Sequence, residues 1–287
     1  MMKFLKKIAN PFLYLFWNED YLGGTYDIKE YNFFGVKFKR KCLPKICKCC
    51  EEYYGLPKVT LSITAILKNE APYIREWIEY HIMKGVERFY LYDNESNDNI
   101  KEILKPYIDN GIVFYHYIIG EARQLPAYRD AIYKYKNQTK WMAFIDIDEF
   151  ILPVEKESIQ DFLKDYENFS GIGVNWIVYD SNGYVEKPTE HHGLVTANYY
   201  RVNENKNVPV NHHIKTIANP RKILSVANPH FMYYVGRELT VDENKKIIKG
   251  PFTEKNNSEK IRINHYACKS RDEYIKRLAK EIGRAHV

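Results

Sequence analysis

Residues 59–93, VTLSITAILKNEAPYIREWIEYHIMKGVERFYLYD, decide the fold. The opening run Val59–Leu67 is apolar and β-branched, the composition of a buried strand. The period then changes: Ile74, Ile78, His81 and Ile82 recur on one helical face, and Gly85 supplies a C-terminal stop. Val86–Asp93 returns to strand composition. A strand, a helix and a second strand joined by short links form a βαβ unit, whose strands run parallel.

The pattern continues outward. NESNDNIKEILKPYIDNG gives a polar turn and a helix from about Asp98 that ends at Gly111. Ile112–Ile119 reads as a third strand, Gln124–Asn137 as a helix and Trp141–Ile147 as a fourth strand. Such alternation predicts an α/β fold, a mostly parallel sheet flanked by helices. Ligands of these sheets bind beyond the carboxyl ends of the strands. Each strand here ends in polar residues: Lys68-Asn69-Glu70, Asp93-Asn94-Glu95-Ser96, Glu121-Arg123-Gln124 and Asp146-Ile147-Asp148. After Glu149 the alternation stops. A helix near Glu157–Tyr166, GIGVNWIVYD, short strands and a terminal helix in INHYACKSRDEYIKRLAK predict a mixed C-terminal half that completes the cleft.

WMAFIDIDEF, Trp141–Phe150, puts Asp146, Asp148 and Glu149 where the fourth apolar run should continue. Clustered carboxylates at a buried strand's end repel one another and need a cation. If the strand runs through them, Asp146 and Asp148 share a side, about 7 Å apart. Hard oxygen donors at a cleft edge suit Mg²⁺ or Mn²⁺, with waters and phosphate oxygens completing the shell.

The net charge of +6 is local: residues 1–50 hold ten Lys or Arg against four Asp or Glu, leaving 33 of each in the remainder. A nucleic-acid-binding domain would spread its basic residues over the folded body, so nucleic acid is excluded as a partner. Pro11–Trp17 is too short to span a bilayer and has no small-residue cleavage site. Its neighbouring lysines suit an anionic membrane surface, giving a cytoplasmic chain peripheral to the inner face of the cell membrane. Cys42, Cys47, Cys49 and Cys50 lack zinc-knuckle spacing and read as reduced thiols; Cys268 stands alone. The last residues, EIGRAHV (281–287), read as a non-native tail, leaving a basic arm over 1–57 and one domain over 58–280. Tyr is frequent, at 25 residues, which suits either ordinary packing or a wet sugar-binding cleft.

Taken in order, AILKNEAPYIREWIEYHIMKGVERFYLYDNESNDN, WMAFIDIDEF, GLVTANYYR, HHIKTIANPRKI and INHYACKSRDEYIKR resemble glycosyltransferase family 92 and its bacterial family-2-like relatives. The resemblance spans about Val59–Lys280. It implies a GT-A type, Rossmann-like fold with an acceptor-side C-terminal half. It also implies a nucleotide-sugar donor, a UDP-sugar by preference, a divalent metal and inversion at the anomeric carbon. Carried over by position, Lys68, Asn69 and Glu70 would meet base and ribose, and Asp93 and Asn94 the base. Asp146 would bond the ribose or reach the metal through water, Asp148 would ligate it, and His265 would add a later contact. Arg123 and Arg129 are candidates for the donor phosphates. An inverting enzyme needs a carboxylate base; Asp180, Glu190 and Glu238 are candidates, with Asp180 and Glu238 preferred. The family tends to have a small residue where Asp180 stands. The acceptor expected is a glycan or lipid-linked glycan in surface polysaccharide synthesis. The competing readings are a haloacid-dehalogenase-like phosphatase and a non-catalytic nucleotide-sugar or glycan binder. His81 reads as a hydrogen-bonded core histidine, and His191-His192 and His212-His213 as loop histidines.

Overall fold

The computed structural model describes residues 27–33, 36–42, 57–187, 193–195 and 208–284. Pro11–Trp17, Cys47, Cys49, Cys50, Glu190 and His191-His192 lie outside the described residues. β1 (Asp27–Phe33) and β2 (Val36–Cys42) form a separate antiparallel pair.

The expected alternation is present: β3 (Val59–Leu67), α1 (Ala71–Met83), β4 (Arg88–Asp93), α2 (Ile100–Asp109), β5 (Val113–Tyr117), α3 (Gln124–Tyr135) and β6 (Thr139–Phe144). These strands lie side by side as β6-β3-β4-β5, all parallel. Their side chains alternate between two cores. Leu61, Ile63, Phe89, Leu91, Trp141 and Ala143 pack with α1 and α2, while Tyr90, Tyr92, Met142 and Phe144 pack under α3. Burial on both faces is why these strands read as continuous apolar runs. Gly85, at φ +93°, turns the chain out of α1 in a conformation that strains any other residue.

The second half builds outward from β6. β7 (Glu149–Pro153) and α4 (Ile159–Leu163) precede β8 (Gly171–Val178), β9 (Ile214–Ala218) and the β10 (Ile223–Asn228)–β11 (Phe231–Tyr234) hairpin. β12 (Thr240–Val241), β13 (Ile247–Ile248), β14 (Ile261–His265) and α5 (Arg271–Arg284) follow. β9 inserts antiparallel to both β6 and β8, so β8 runs in the direction of β6. β14 lies parallel to β8 and antiparallel to β7. The carboxyl ends of β3, β4, β5, β6, β8 and β14 therefore open on one edge. This is the mostly parallel sheet with a mixed C-terminal half that the sequence predicts.

His81 lies in the α1 core. Its Nδ1–H donates to the Trp77 carbonyl at 2.8 Å, and its Nε2 accepts the Ile151 N–H at 3.2 Å. The tautomer follows from those partners. Burial lowers its pKa to about 3. The ring is neutral and ties α1 to β7, directly after the acidic stretch. Several tyrosines are likewise buried with a partnered hydroxyl, such as Tyr92 to Asp130 at 2.8 Å. No described helix is long and apolar enough to cross a membrane.

Candidate active site

The first three βα loops are laced together. The Asn69 N–H donates to Ser96 Oγ at 2.9 Å, and Asn69 Oδ1 accepts the Asn97 N–H at 2.8 Å. The Ala71 N–H, at the start of α1, donates to Asp98 at 2.9 Å. Asp93 is buried, accepting the Ser96 N–H at 2.8 Å and the Tyr115 hydroxyl at 2.5 Å. Asn94 Nδ2 donates to the Ile118 and Gly120 carbonyls at 3.2 and 2.9 Å. Asn69 and Glu95, both at φ +60°, hold left-handed conformations. Such backbone persists only where neighbours over-determine it.

Of the residues expected to meet base and ribose, Asn69, Asp93 and Asn94 spend polar side-chain atoms on this lacing, and Lys68 is exposed at the edge. Arg123 folds back so that Nε donates to the Ile119 carbonyl at 2.6 Å. Arg129 sits half-buried on α3.

β6 stops at Phe144, and Asp146–Glu149 forms a turn closed by the Glu149 N–H to the Asp146 carbonyl at 3.1 Å. The expectation of a strand through Ile147, with Asp146 and Asp148 side by side, is thus corrected. The turn ends the period-2 alternation and sends the two carboxylates to different partners. Asp146 accepts from Gln124 Nε2 and from Lys215 Nζ, both at 2.7 Å. Glu149 is fully buried; Oε2 accepts the Asp146 N–H at 3.0 Å, and Oε1 lies 3.7 Å from Lys215 Nζ. The cation facing Asp146 and Glu149 is therefore Lys215 of β9, only 1% exposed. Burial opposes its ammonium, but Asp146 and Glu149 carry its pKa above the ordinary lysine range. Burial, with the Asp146 charge, raises the Glu149 pKa against the pull of Lys215.

Asp148 faces the C-terminal half. Its Oδ1 lies 3.6 Å from His265 Nε2 and its Oδ2 lies 3.6 Å from Arg277 Nη1. Burial would raise its carboxyl, but His265, Lys269 and Arg277 hold it below the usual carboxylate range. His265 responds in kind: burial opposes its charged form, and Asp148 raises its pKa above the ordinary value. Lys269 Nζ pairs with Glu70 at 2.9 Å and lies 4.4 Å over the Tyr73 ring. Glu70, expected at the ribose, is thereby tied to the loop before α5; burial raises its pKa while Lys269 opposes that rise.

A metal fits only part of the expected set. The Asp148–His265 gap of 3.6 Å is too long for a hydrogen bond. An ion with bonds of about 2.1 Å bridges donors up to about 4 Å apart. His265 Nδ1 is buried without a partner among the described residues. Asp146, by contrast, already holds the Lys215 ammonium, whose charge disfavours a second cation while leaving lone pairs for a neutral hydroxyl, so Asp148 and His265 fit a metal better than Asp146 does. No group of three or more His, Cys, Asp or Glu among the described residues is arranged to hold an ion by itself.

The candidate bases separate. Asp180 follows β8, where the Tyr179 N–H donates to the His265 carbonyl at 2.8 Å; its Oδ1 accepts the Asn182 N–H at 2.8 Å. Glu238 bonds Ser170 Oγ, and Lys222 Nζ at 2.8 Å. Ser170 precedes the opposite end of β8, roughly 20 Å or more away by strand rise. Glu238 thus lies at the amino edge of the sheet, away from the Asp146–Glu149 turn. Cys268 is half-buried, and burial followed by the Asp180 charge raises its thiol pKa.

Lys215, Lys269 and Arg277 are residues that sequence reasoning missed, and Gln124 it read only as part of the polar end of the third strand. Lys215 had a signal, a lone lysine in the apolar strand IKTIA. The other three face the turn only after the chain has folded back.

A family model, glycosyltransferase family 92, matches residues 58–273. The chain belongs to glycosyltransferase family 92. Similar curated proteins include the galactan beta-1,4-galactosyltransferase GALS3 of Arabidopsis thaliana, 36% identical over 107 residues, covering 34% of this chain and 21% of that one. A glycosyltransferase family 92 protein of Oryza sativa subsp. japonica is 31% identical over 115 residues, covering 40% of this chain and 20% of that one. The chain thus spans about a fifth of the length of these family 92 relatives. Among solved structures, S. aureus TarS 1-349 aligns at 13% identity with a TM-score of 0.34, over 56% of this chain and 47% of that one. That likeness is too remote to bear on the site.

Proposed function

We propose that this family 92 domain transfers a hexosyl group from a nucleoside diphosphate sugar to a glycan hydroxyl with inversion, assisted by a divalent cation. The observation that carries the reading is the Asp148–His265 pair, 3.6 Å apart at the carboxyl edge of the sheet with Lys269 and Arg277 beside it. Galactose is the first donor sugar to test, and UDP the first nucleotide, because similar curated proteins are named galactosyltransferases.

Asp148 and His265 would hold the cation, Mn²⁺ or Mg²⁺, which neutralises charge on a departing diphosphate. Lys269 and Arg277 add fixed positive charge at the same end of the cleft. Gln124 and Lys215 fix Asp146 as an acceptor for a donor hydroxyl. Asp180, at the end of β8 beside His265, is the candidate to take the acceptor proton. A phosphatase reading has no support in a family 92 match over most of the chain.

The test is nucleotide release from a panel of sugar nucleotides with and without Mn²⁺. Turnover of a UDP-sugar that stops with chelator, and is lost in Asp148→Asn while the far-UV spectrum is kept, is the expected result. Near-wild-type turnover in that variant rules the metal role out, and release of phosphate from simple monoesters instead would favour the phosphatase. On the same reading the acceptor is a surface or lipid-linked glycan and the basic 1–57 arm rests on an anionic membrane. The intact chain should then sediment with vesicles containing phosphatidylglycerol and not with neutral ones.

A further inference from the structure

Tyr73, in the first turn of α1, has an ammonium group over its ring from each of two distant segments. Lys269 Nζ lies 4.4 Å from the ring centroid and Lys187 Nζ lies 4.6 Å from it. Tyr73 is buried, whereas Lys187 is exposed. An aromatic face attracts each cation, but two like charges at one ring also repel.

The segment that carries Lys187 is fixed at its base. It follows β8, and two of its carbonyls are taken by the start of α5. The Arg271 N–H donates to the Tyr184 carbonyl and the Asp272 N–H to the Val185 carbonyl, both at 3.0 Å. The same helix brings Glu273 to the Tyr73 hydroxyl and Arg277 to within 3.6 Å of Asp148. One helix and the residues stitched to its start therefore set Lys187, Lys269 and Arg277 around the carboxyl end of β3.

The carboxylates nearby are already committed. Glu70 holds Lys269 at 2.9 Å. Glu273 accepts the Tyr73 hydroxyl, the Ser270 N–H at 3.1 Å and the Ser270 hydroxyl at 2.7 Å. Asp148 lies between His265 and Arg277. Lys187 makes no ion pair among the described residues. Partial burial lowers the pKa of its ammonium, and the Lys269 charge adds to that against the pull of Glu273 and Glu70. A surface lysine ordinarily leaves its charged end in water. This one is drawn partly out of water and toward a like charge. An anion relieves both costs at once, which a neutral sugar or a nucleotide base does not.

We propose that Lys187 is the third cation, with Lys269 and Arg277, of a grip on the diphosphate of the sugar nucleotide. This rests on the transferase reading. The flexible four-carbon stem swings the ammonium from the Tyr73 ring to a phosphate oxygen, while the bonds to α5 keep its base in place. The same charge then steadies the diphosphate as it departs.

Lys187 is exposed, so Lys187→Met removes the charge, keeps the stem and leaves the core intact. Calorimetric titration with UDP and with uridine, both in Mn²⁺, separates the phosphates from the base. Lys187→Met should weaken UDP binding roughly tenfold and leave uridine binding unchanged, and Lys187→Arg should restore UDP binding. An unaltered UDP affinity in Lys187→Met, or an equal fall for uridine, overturns the grip. If the wild type binds no uridine nucleotide, the transferase reading fails, and the grip is judged by the same titration with inorganic pyrophosphate. Pyrophosphate bound by the wild type and lost in Lys187→Met supports it; a wild type that binds none overturns it.

Discussion

Asp146 and Glu149 share one buried ammonium, at 2.7 and 3.7 Å from Lys215 Nζ. Removing one partner from such a group leaves uncompensated charge behind, at a cost of about 3–5 kcal/mol. Lys215→Met should therefore lower stability by that order in urea unfolding, and Asp146→Asn in the same chain should return part of it. A cost below about 1 kcal/mol would mean that water reaches the turn and the pair is no more than a surface bridge. Asp148 belongs to a different set of partners, so a metal titration followed by fluorescence should weaken in Asp148→Asn and persist in Asp146→Asn. Sequence reasoning found the carboxylates because charge at the end of an apolar run is conspicuous. It assigned both to one ion because a strand puts alternate residues on one side, and the turn at Asp146–Glu149 removes that premise.

At the scale of elements, α1 is held to β7 through a histidine that must stay neutral. His81 has a pKa of about 3 in the folded protein, against about 6.5 when unfolded. The folded value is depressed, so the stability this ring contributes is complete above pH 6.5 and is lost as the pH falls toward 3, because the unfolded chain binds the proton first. At pH 5 the loss from this residue is about 2 kcal/mol. His81→Gln should start less stable at pH 7 and show a flatter decline between pH 6.5 and 5; parallel declines in thermal melts would refute the coupling. The βαβ elements were legible because their cores impose periods of 2 and 3.6 on neighbouring residues. β9 was not. It is short, and its neighbours β6 and β8 are distant in sequence, so no local period announces an antiparallel insertion.

Across the whole molecule, the late chain closes on the early chain. Lys269 reaches Glu70 at 2.9 Å across 199 residues, Glu273 accepts the Tyr73 hydroxyl, and Asp148 is flanked by His265 and Arg277. Lys269→Met should cost about 2 kcal/mol by stranding Glu70, and Glu70→Gln in the same chain should recover most of it. Additive losses in that double-mutant cycle would sever the link. Contacts of this kind leave no local mark, which is why Glu70 was read only as a donor contact and Lys269 not at all. Lys215 sits 69 residues after the Asp146 that it neutralises. During synthesis at about 5–20 residues per second, the acidic turn would leave the ribosome roughly 3–14 s before its counter-charge. The parallel half must then wait, incompletely consolidated, and a nascent chain stalled before β9 should be the species that chaperones and proteases find.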